Sequence, residues 1–182
     1  MKTNWVWCDL EMTGLNEEKD CIIEIATIIT DSALNIIAEG PDYVIHQPAS
    51  KMEDLDPWII KHHGESGLLR AVQESRVSQK QAEEETLKFI QAHTEQGKAP
   101  LCGNSIGTDR SFLRRHMPKL EAHLHYRNID VTSVKILYDA WYKGVSLKKK
   151  MQHRALDDIK ESIAELKFYQ KTIFKNDADK DL

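Results

Sequence analysis

The first 47 residues contain three strand-like segments joined by short connections, and this feature limits the fold more than any other. Residues 4–11 alternate in side-chain polarity, residues 21–30 are rich in isoleucine, and residues 35–47 again have an extended pattern. Only a turn-like stretch at residues 30–32 separates the second segment from the third. Consecutive strands with short connections pair as antiparallel neighbours, so the chain is predicted to open with a three-stranded meander.

The first strand is predicted to have two chemically different faces. One face is apolar and carries Val6, Cys8 and Leu10. The other carries two tryptophans followed by two carboxylates, which are Trp5, Trp7, Asp9 and Glu11. The Cα atoms of Asp9 and Glu11 would lie about 6 to 7 Å apart, close enough for both carboxylates to share a cation. A solvated strand face offers the same spacing, although carboxylates beside apolar surface are costly without a compensating charge.

Helices alternate with further strands after residue 54, which predicts an α/β protein. Helix starts are predicted at Asp56-Pro57, at Ser78 with Gln81 in a capping box, and at Thr108. Two more strands are predicted at residues 99–105 and 126–131, and two more helices at residues 132–142 and 154–172. The last helix has an apolar stripe of Leu156, Ile159, Ile163 and Leu166. The predicted order is β-β-β-α-α-β-α-β-α-α, which gives a mixed five-stranded sheet flanked by helices.

The size, charge and cysteine content of the chain limit the classes of function. With 182 residues it has the size of one domain, predicted over residues 1–174 and followed by a polar tail at residues 175–182. Its net charge of −4 argues against a protein that coats long nucleic acid. The three cysteines indicate neither a disulfide framework nor a zinc knuckle, and no apolar stretch resembles a signal peptide or a membrane span. We therefore expect a cytoplasmic protein that does not bind membranes.

Two later segments each bring a carboxylate to the start of a helix. In residues 103–109 (GNSIGTD), two glycines follow a strand and Asp109 enters the first helical turn, where backbone N–H groups can meet an anion. A role for Asp109 in capping that helix or interacting with its dipole is an equally good explanation. In residues 153–158 (HRALDD), His153 precedes the last helix and Asp158 lies about one turn inside it. A lone histidine at a helix start is usually structural.

Four carboxylates and a histidine thus fall at the ends of three elements that a mixed sheet can bring together. Oxygen ligands without cysteine favour Mg²⁺ or Mn²⁺ over zinc. Two such ions about 4 Å apart can activate a water and stabilise the leaving oxygen of a phosphodiester, while a neutral imidazole accepts the proton of the water. The pattern therefore predicts phosphodiester hydrolysis.

Three segments, residues 7–15, 103–110 and 153–159, resemble the three motifs of the oligoribonuclease family, which belongs to the DEDDh 3′-5′ exonucleases of the RNase H-like fold. The resemblance covers nearly the whole chain, including the length and the motif order, and would make residues 1–174 a single exonuclease domain. It implies that two divalent cations, Mg²⁺ or Mn²⁺, are held by Asp9, Glu11, Asp109 and Asp158. It also implies that His153 is the general base, and the H-x-x-x-x-D spacing of the family selects Asp158 rather than Asp157.

The resemblance further implies a homodimer that degrades very short oligoribonucleotides, dinucleotides above all, from the 3′ end to nucleoside 5′-monophosphates. Leu15 would lie between the two bases and Trp58 would line the base pocket. Tyr126 of the partner subunit would close over a base, with Ser105 and Arg127 near the terminal 5′ phosphate. Without the resemblance, Leu15 would be interpreted as a turn residue closing the core, Trp58 as a core aromatic and Tyr126 as an ordinary strand residue.

Two other functions compete with this one. A DEDDh-type proofreading exonuclease acting on DNA would use the same metal chemistry, although the chain shows no basic, aromatic-rich extension to hold long single strands. A non-catalytic binding module would have lost a metal carboxylate, and none of the four is missing. Three features stay outside the site: Lys148–Lys150 as a solvated loop, Glu24 as a residue with a partner within the sheet, and His62-His63.

Overall fold

The chain forms a mixed five-stranded sheet with the Asp9 and Glu11 strand at its centre. The computed structural model describes residues 3–142 and 154–174. The strands are β1 (Trp5–Met12), β2 (Ile22–Thr30), β3 (Ile36–Val44), β4 (Leu101–Gly103) and β5 (Asn128–Asp130), and their order in the sheet is β3-β2-β1-β4-β5. Strands β1, β2 and β3 pair antiparallel, whereas β4 runs parallel to both β1 and β5. The predicted meander and the five-stranded sheet are confirmed.

The helices of the described residues cover both faces of the sheet. They are α1 (Pro57–Glu65), α2 (Leu68–Glu74), α3 (Gln79–His93), α4 (Gly107–His116), α5 (Pro118–His123), α6 (Val131–Trp141) and α7 (Ala155–Ile173), with a short 3₁₀ turn at Ala49–Lys51. Two predicted helix starts are confirmed by their side-chain bonds. The Asp56 carboxylate accepts the N–H of Trp58 at 2.7 Å, and the Ser78 hydroxyl accepts the N–H of Gln81 at 3.2 Å.

The structure corrects several details of the predicted elements. Helices α2 and α5 are absent from the predicted order. Helix α2 is separated from α1 by Gly67, whose φ of 75° changes the chain direction between two short helices, and α5 begins at Pro118, two residues after the end of α4. Thr108 does not cap α4, because the helix begins one residue earlier and Ile106 occupies the capping position. Strand β5 begins only at Asn128, so the residues at 126 and 127 precede it instead of forming its start.

The two faces of β1 pack against different sets of helices. Val6, Cys8 and Leu10 join a core with residues of α3, α4 and α5. On the opposite face, Trp7 lies in a second core with residues of α6 and α7. In α7 the predicted apolar stripe is confirmed, except that Leu156 is only partly buried. Helix α7 therefore lies over the same sheet face that presents Asp9 and Glu11.

Several sequence predictions concern residues that the structure does not describe. His153, Lys148–Lys150 and the tail at residues 175–182 lie outside the described residues. The division into a domain at residues 1–174 and a tail stays a prediction. Among the described helices, none has the length and apolar character needed to cross a bilayer.

Candidate active site

Three carboxylates from two elements meet on the α7 side of β1. Asp9 and Glu11 come from β1, and Asp158 comes from the first turns of α7. One oxygen of each carboxylate lies within 4.8 Å of the others, and all three residues are half-buried. The neighbouring Asp157 is exposed and is not part of this group. The carboxylates at positions 9, 11 and 158 therefore form one cluster of oxygen atoms that could hold a cation.

Asp109 approaches β1 from the start of α4. Its side chain is buried, and Oδ1 accepts the N–H of Leu10, the residue between Asp9 and Glu11, at 3.0 Å. Asp109 is not among the three residues whose oxygens group together, yet its charge lies close enough to raise the pKa of Asp9. A role limited to capping α4 does not fit, because the carboxylate bonds to the strand.

Burial and mutual repulsion raise the pKa values of these carboxyl groups. Burial is the main cause for Asp9, whose pKa is well above its usual range, with repulsion from Asp109 and Glu11 adding to it. Burial followed by the charge of Asp158 raises the pKa of Glu11 to about 8. Burial raises the pKa of Asp109 to about 7, although the bond from the Leu10 N–H opposes the shift. The cluster therefore favours a proton or a cation among its oxygens.

His63 joins this site although the sequence had given it no role. It is buried on α1, with Nε2 at 3.7 Å from Oε2 of Glu11 and 3.2 Å from the carbonyl oxygen of Met12. The sequence does not indicate this contact, because no carboxylate lies at a ligand spacing from His63. The contact arises only when α1 packs against the end of β1, so no local pattern reports it.

Two residues with predicted base contacts, Leu15 and Trp58, are exposed near this end of β1. Leu15 follows Gly14 and is 78% exposed, and its loop is fixed by Asp20, which accepts the N–H of Asn16 at 2.9 Å. A Cβ atom at position 14 would displace the Asp20 carboxylate that holds this loop. Trp58 is 51% exposed and stacks on His62 with ring centroids 4.0 Å apart. Their alternative interpretations as core residues are wrong.

Ser105 lies in the turn between β4 and α4 with a φ of 49°. Its N–H donates to Oδ1 of Asp130 and to the hydroxyl of Thr132, at 2.9 Å each. Asp130 in turn accepts the N–H of Thr132 at the start of α6. These bonds fix Ser105 where the parallel strands end, at the same edge of the sheet as the carboxylates.

Tyr126 and Arg127 lie at the opposite edge of the sheet. Leu101 pairs with both Val6 and Asn128, so residues that precede β5 lie level with the start of β1. Tyr126 is therefore about 16 Å from Asp9 along the strand direction. It is 72% exposed, and the Arg127 guanidinium lies 5.2 Å from the centre of its ring. Neither residue lies beside the carboxylates of the cluster.

Proteins of similar sequence match most of the chain, including the segments that carry the carboxylates. Residues 6–166 match the RNase_T exonuclease family. An oligoribonuclease of Marinobacter nauticus is 55% identical over 172 residues, which are 93% of this chain and 96% of that protein. An oligoribonuclease of Shewanella loihica is 54% identical over 176 residues, which are 96% of this chain and 97% of that protein.

A solved structure with a similar fold comes from exonuclease I of E. coli, in a zinc-bound complex with single-stranded DNA. The TM-score is 0.69 at 16% identity, over 95% of this chain and 41% of that one, so this chain spans about two fifths of exonuclease I. At that identity the likeness concerns the fold alone, which is RNase H-like, as predicted. With the family match and the two relatives, the sequence and the sheet together show that the chain belongs to the oligoribonuclease family of RNase_T exonucleases.

Proposed function

We propose that the protein is a metal-dependent 3′-to-5′ exoribonuclease that hydrolyses very short oligoribonucleotides, dinucleotides above all, to nucleoside 5′-monophosphates. Membership of the oligoribonuclease family makes the chain a nuclease. The observation that carries the proposal is the meeting of Asp9, Glu11 and Asp158, with Asp109 bonded to the strand between the first two. Leu15, Trp58 and Ser105 are exposed at the same end of the sheet as this cluster.

The residues of the cluster fit two divalent cations, Mg²⁺ or Mn²⁺. The four carboxylates offer only oxygen ligands, and burial keeps the pKa of the neighbouring Cys8 thiol well above its usual range, so no thiolate competes. The raised pKa values of Asp9, Glu11 and Asp109 reflect repulsion and burial that bound cations would relieve. When bound, two such ions supply an activated water and stabilise the leaving oxygen of the phosphodiester.

Side chains of this protein perform the remaining steps of the proposed reaction. Leu15 separates the two bases, and Trp58 lines the pocket of one of them. His153, in its neutral form, accepts the proton of the attacking water. Ser105 and the partner subunit's Arg127 hold the terminal 5′ phosphate, with Arg127 of the partner subunit supplying the positive charge.

The raised pKa values predict that the metal-free protein loses stability as the pH rises, whereas metal binding becomes stronger. Between the ordinary carboxyl pKa and the raised values of about 8 for Glu11 and about 7 for Asp109, the folded metal-free protein retains protons that the unfolded chain has released. The free energy of unfolding contributed by these groups therefore falls as the pH rises from about 5 to 8. Metal requires deprotonated ligands, so its affinity rises over the same range.

We expect Mn²⁺ to raise the Tm of EDTA-treated protein more at pH 8 than at pH 6, measured by thermal unfolding. Comparing the two Mn²⁺ increments cancels the contributions of groups away from the site. An increment that is equal at both pH values, or larger at pH 6, would contradict the assignment of these carboxylates as ligands.

A homodimer would complete the site, because Tyr126 is remote from the carboxylates of its own subunit. Tyr126 and Arg127 lie at the edge where β1 begins, whereas Asp9 lies near the edge where β1 ends. Helix α6 and the residue after it also expose a row of large apolar side chains, which are Ile136, Leu137, Trp141 and Tyr142. Such a row favours burial against a second copy. We therefore assign the cap over the substrate to Tyr126 of the partner subunit.

Replacing Tyr126 by alanine should reduce dinucleotide hydrolysis about 5- to 150-fold, because a base stacked on an aromatic ring gains roughly 1 to 3 kcal/mol. Binding of Mn²⁺ should not change. The kinetics of a diribonucleotide and a Mn²⁺ titration measure the two effects separately.

Mixing variants tests whether the tyrosine acts across the interface. In a mixed dimer of Tyr126→Ala and Asp109→Asn chains, the subunit with intact carboxylates receives its tyrosine from the partner, so activity should partly return. The matched control replaces the Asp109→Asn chain by one carrying both substitutions, and it should give no recovery. Absence of recovery in verified Tyr126→Ala and Asp109→Asn heterodimers would count against a shared site.

The products of a single substrate test the proposed reaction. A diribonucleotide with a 5′ phosphate, incubated with the protein and Mg²⁺, should yield two nucleoside 5′-monophosphates and nothing else, as separated by chromatography. Nucleoside 3′-phosphates or cyclic phosphates among the products would contradict attack by water with departure of the 3′ oxygen.

The cytoplasmic location stays a prediction, consistent with three cysteines that are all buried and free.

A further inference from the structure

Glu24 is a fully buried carboxylate directly beside the cluster, and the proposed reaction gives it no role. It lies on β2 and pairs in register with Glu11 on β1. Its charge is close enough to raise the pKa values of both Asp9 and Glu11. A charge buried at this position is costly unless other groups bind it.

The groups that bind Glu24 come from the start of α7, not from the sheet as predicted. Oε1 accepts two N–H groups of Arg154, from Nε at 2.8 Å and from the terminal nitrogen at 2.6 Å. Oε2 accepts the backbone N–H of Ala155 at 3.1 Å. The two oxygens of the Glu24 carboxylate therefore bind Arg154, which precedes α7, and Ala155, which is the first residue of α7.

The same residues lead directly to Asp158. The N–H of Asp158 donates to the carbonyl oxygen of Arg154 at 3.0 Å, which is the first bond of the helical ladder. Fixing Arg154 and Ala155 on β2 therefore fixes the first turn of α7 above β1. Glu24, opposite Glu11, thus holds the start of the backbone turn that carries the third carboxylate.

We infer that Glu24 is a positioning residue, which through Arg154 and Ala155 sets the place of Asp158 relative to Asp9 and Glu11. The inference rests on the proposed function, in which these three carboxylates bind divalent metal. Residues that orient metal ligands typically change metal affinity by about 10- to 100-fold when they are replaced. Glu24→Gln, which keeps the size but puts a donor against the N–H groups, should weaken Mn²⁺ binding by that factor.

Loss of a negative charge near the site would also weaken Mn²⁺ binding, so two further variants separate position from charge. Arg154→Gln removes a positive charge, which by charge alone should tighten Mn²⁺ binding, whereas loss of the clamp on α7 should weaken it. Glu24→Asp keeps the charge but withdraws the carboxylate by one methylene, so it should also weaken binding. Mn²⁺ affinity is measured directly from the electron paramagnetic resonance signal of the free ion, well below the Tm and without substrate.

Glu83 offers a matched control for a purely structural carboxylate. It is buried, and its Oε1 accepts the N–H groups of Lys119 and Leu120 at the start of α5, at 2.7 and 3.3 Å. Glu83→Gln should lower the Tm, as Glu24→Gln does, and leave Mn²⁺ affinity unchanged. If Glu24→Gln does not fold, Arg154→Gln provides the test, since the Arg154 side chain is 37% exposed and leaves no buried cavity.

The outcomes distinguish this inference from the proposed function. Weaker Mn²⁺ binding in Glu24→Gln, Glu24→Asp and Arg154→Gln, with wild-type binding in Glu83→Gln, supports it. Tighter or unchanged binding in Arg154→Gln, or wild-type binding in Glu24→Asp, overturns it while leaving the metal site itself in place. Failure of the wild-type protein to bind Mn²⁺, or binding that Asp158→Asn does not affect, overturns the proposed function as well.

Discussion

Replacing Asp158 by asparagine should reduce hydrolysis of a diribonucleotide in Mg²⁺ by about 10²- to 10³-fold or more, the usual loss when one group that stabilises transition-state charge is removed. The Asp158 carboxylate lies with those of Asp9 and Glu11, so its charge is needed to hold divalent metal. Asparagine has nearly the same size, so no cavity forms and the far-UV circular dichroism should stay unchanged. Asp109→Asn should act in the same way, because its remaining oxygen can still accept the Leu10 N–H.

The neighbouring residue provides a matched control. Asp157 lies on the same helical turn but is exposed and outside the cluster, so Asp157→Asn should keep near-wild-type turnover. Turnover that survives in a folded Asp158→Asn variant, or that falls equally in Asp157→Asn, would contradict the assignment of Asp158 as a metal ligand.

His153→Ala should slow turnover about 10²- to 10⁴-fold, the usual scale for loss of a general base, with little change in substrate binding. Only the neutral imidazole accepts a proton, so wild-type activity should fall as the pH drops through the pKa of His153. The alanine variant should lose this acid limb. The measurement is the pH dependence of kcat for a diribonucleotide in both proteins.

Metal binding imposes a second pH dependence that must be separated from that of His153. The raised pKa values of Glu11 and Asp109 mean that protons compete with metal below pH 8, so each point requires saturating Mg²⁺. His93→Ala, at the distant end of α3, serves as a histidine control and should keep the acid limb. An acid limb that is unchanged in His153→Ala would show that another group accepts the proton.

Local patterns in the sequence predicted most of the sheet and the elements that carry the carboxylates, whereas the choice of Asp158 over Asp157 rested on the family resemblance. Alternation along residues 4–11 placed Asp9 and Glu11 on the same face as Trp7, and the structure packs that face against α7. The apolar stripe of α7 likewise placed Asp158 near the start of the helix. Periodicity predicts which face of an element a residue occupies, and here it predicted the sheet face on which Asp9 and Glu11 lie.

Contacts between distant elements could not be predicted in this way. Glu24 and Arg154 are 130 residues apart, and the sequence shows only a carboxylate in an apolar strand and an arginine ahead of a helix. The contact of His63 with Glu11 depends on how α1 packs against β1. For these two contacts the missing information is tertiary, because no periodicity links the partners. Gly67 differs, since its left-handed conformation between α1 and α2 is a local feature that is typical of a helix end.

The most direct test of the account is the fate of 5′-labelled RNA of two to ten nucleotides, each incubated with the purified protein in Mg²⁺ or in EDTA. Labelled DNA of the same lengths in parallel tests the proofreading alternative. We predict that the diribonucleotide is consumed fastest, that longer RNAs shorten more slowly from the 3′ end, and that EDTA abolishes every reaction. Rapid degradation of ten-nucleotide RNA or DNA with little action on the diribonucleotide, or hydrolysis that persists in EDTA, would contradict a metal-dependent exoribonuclease specific for very short RNA.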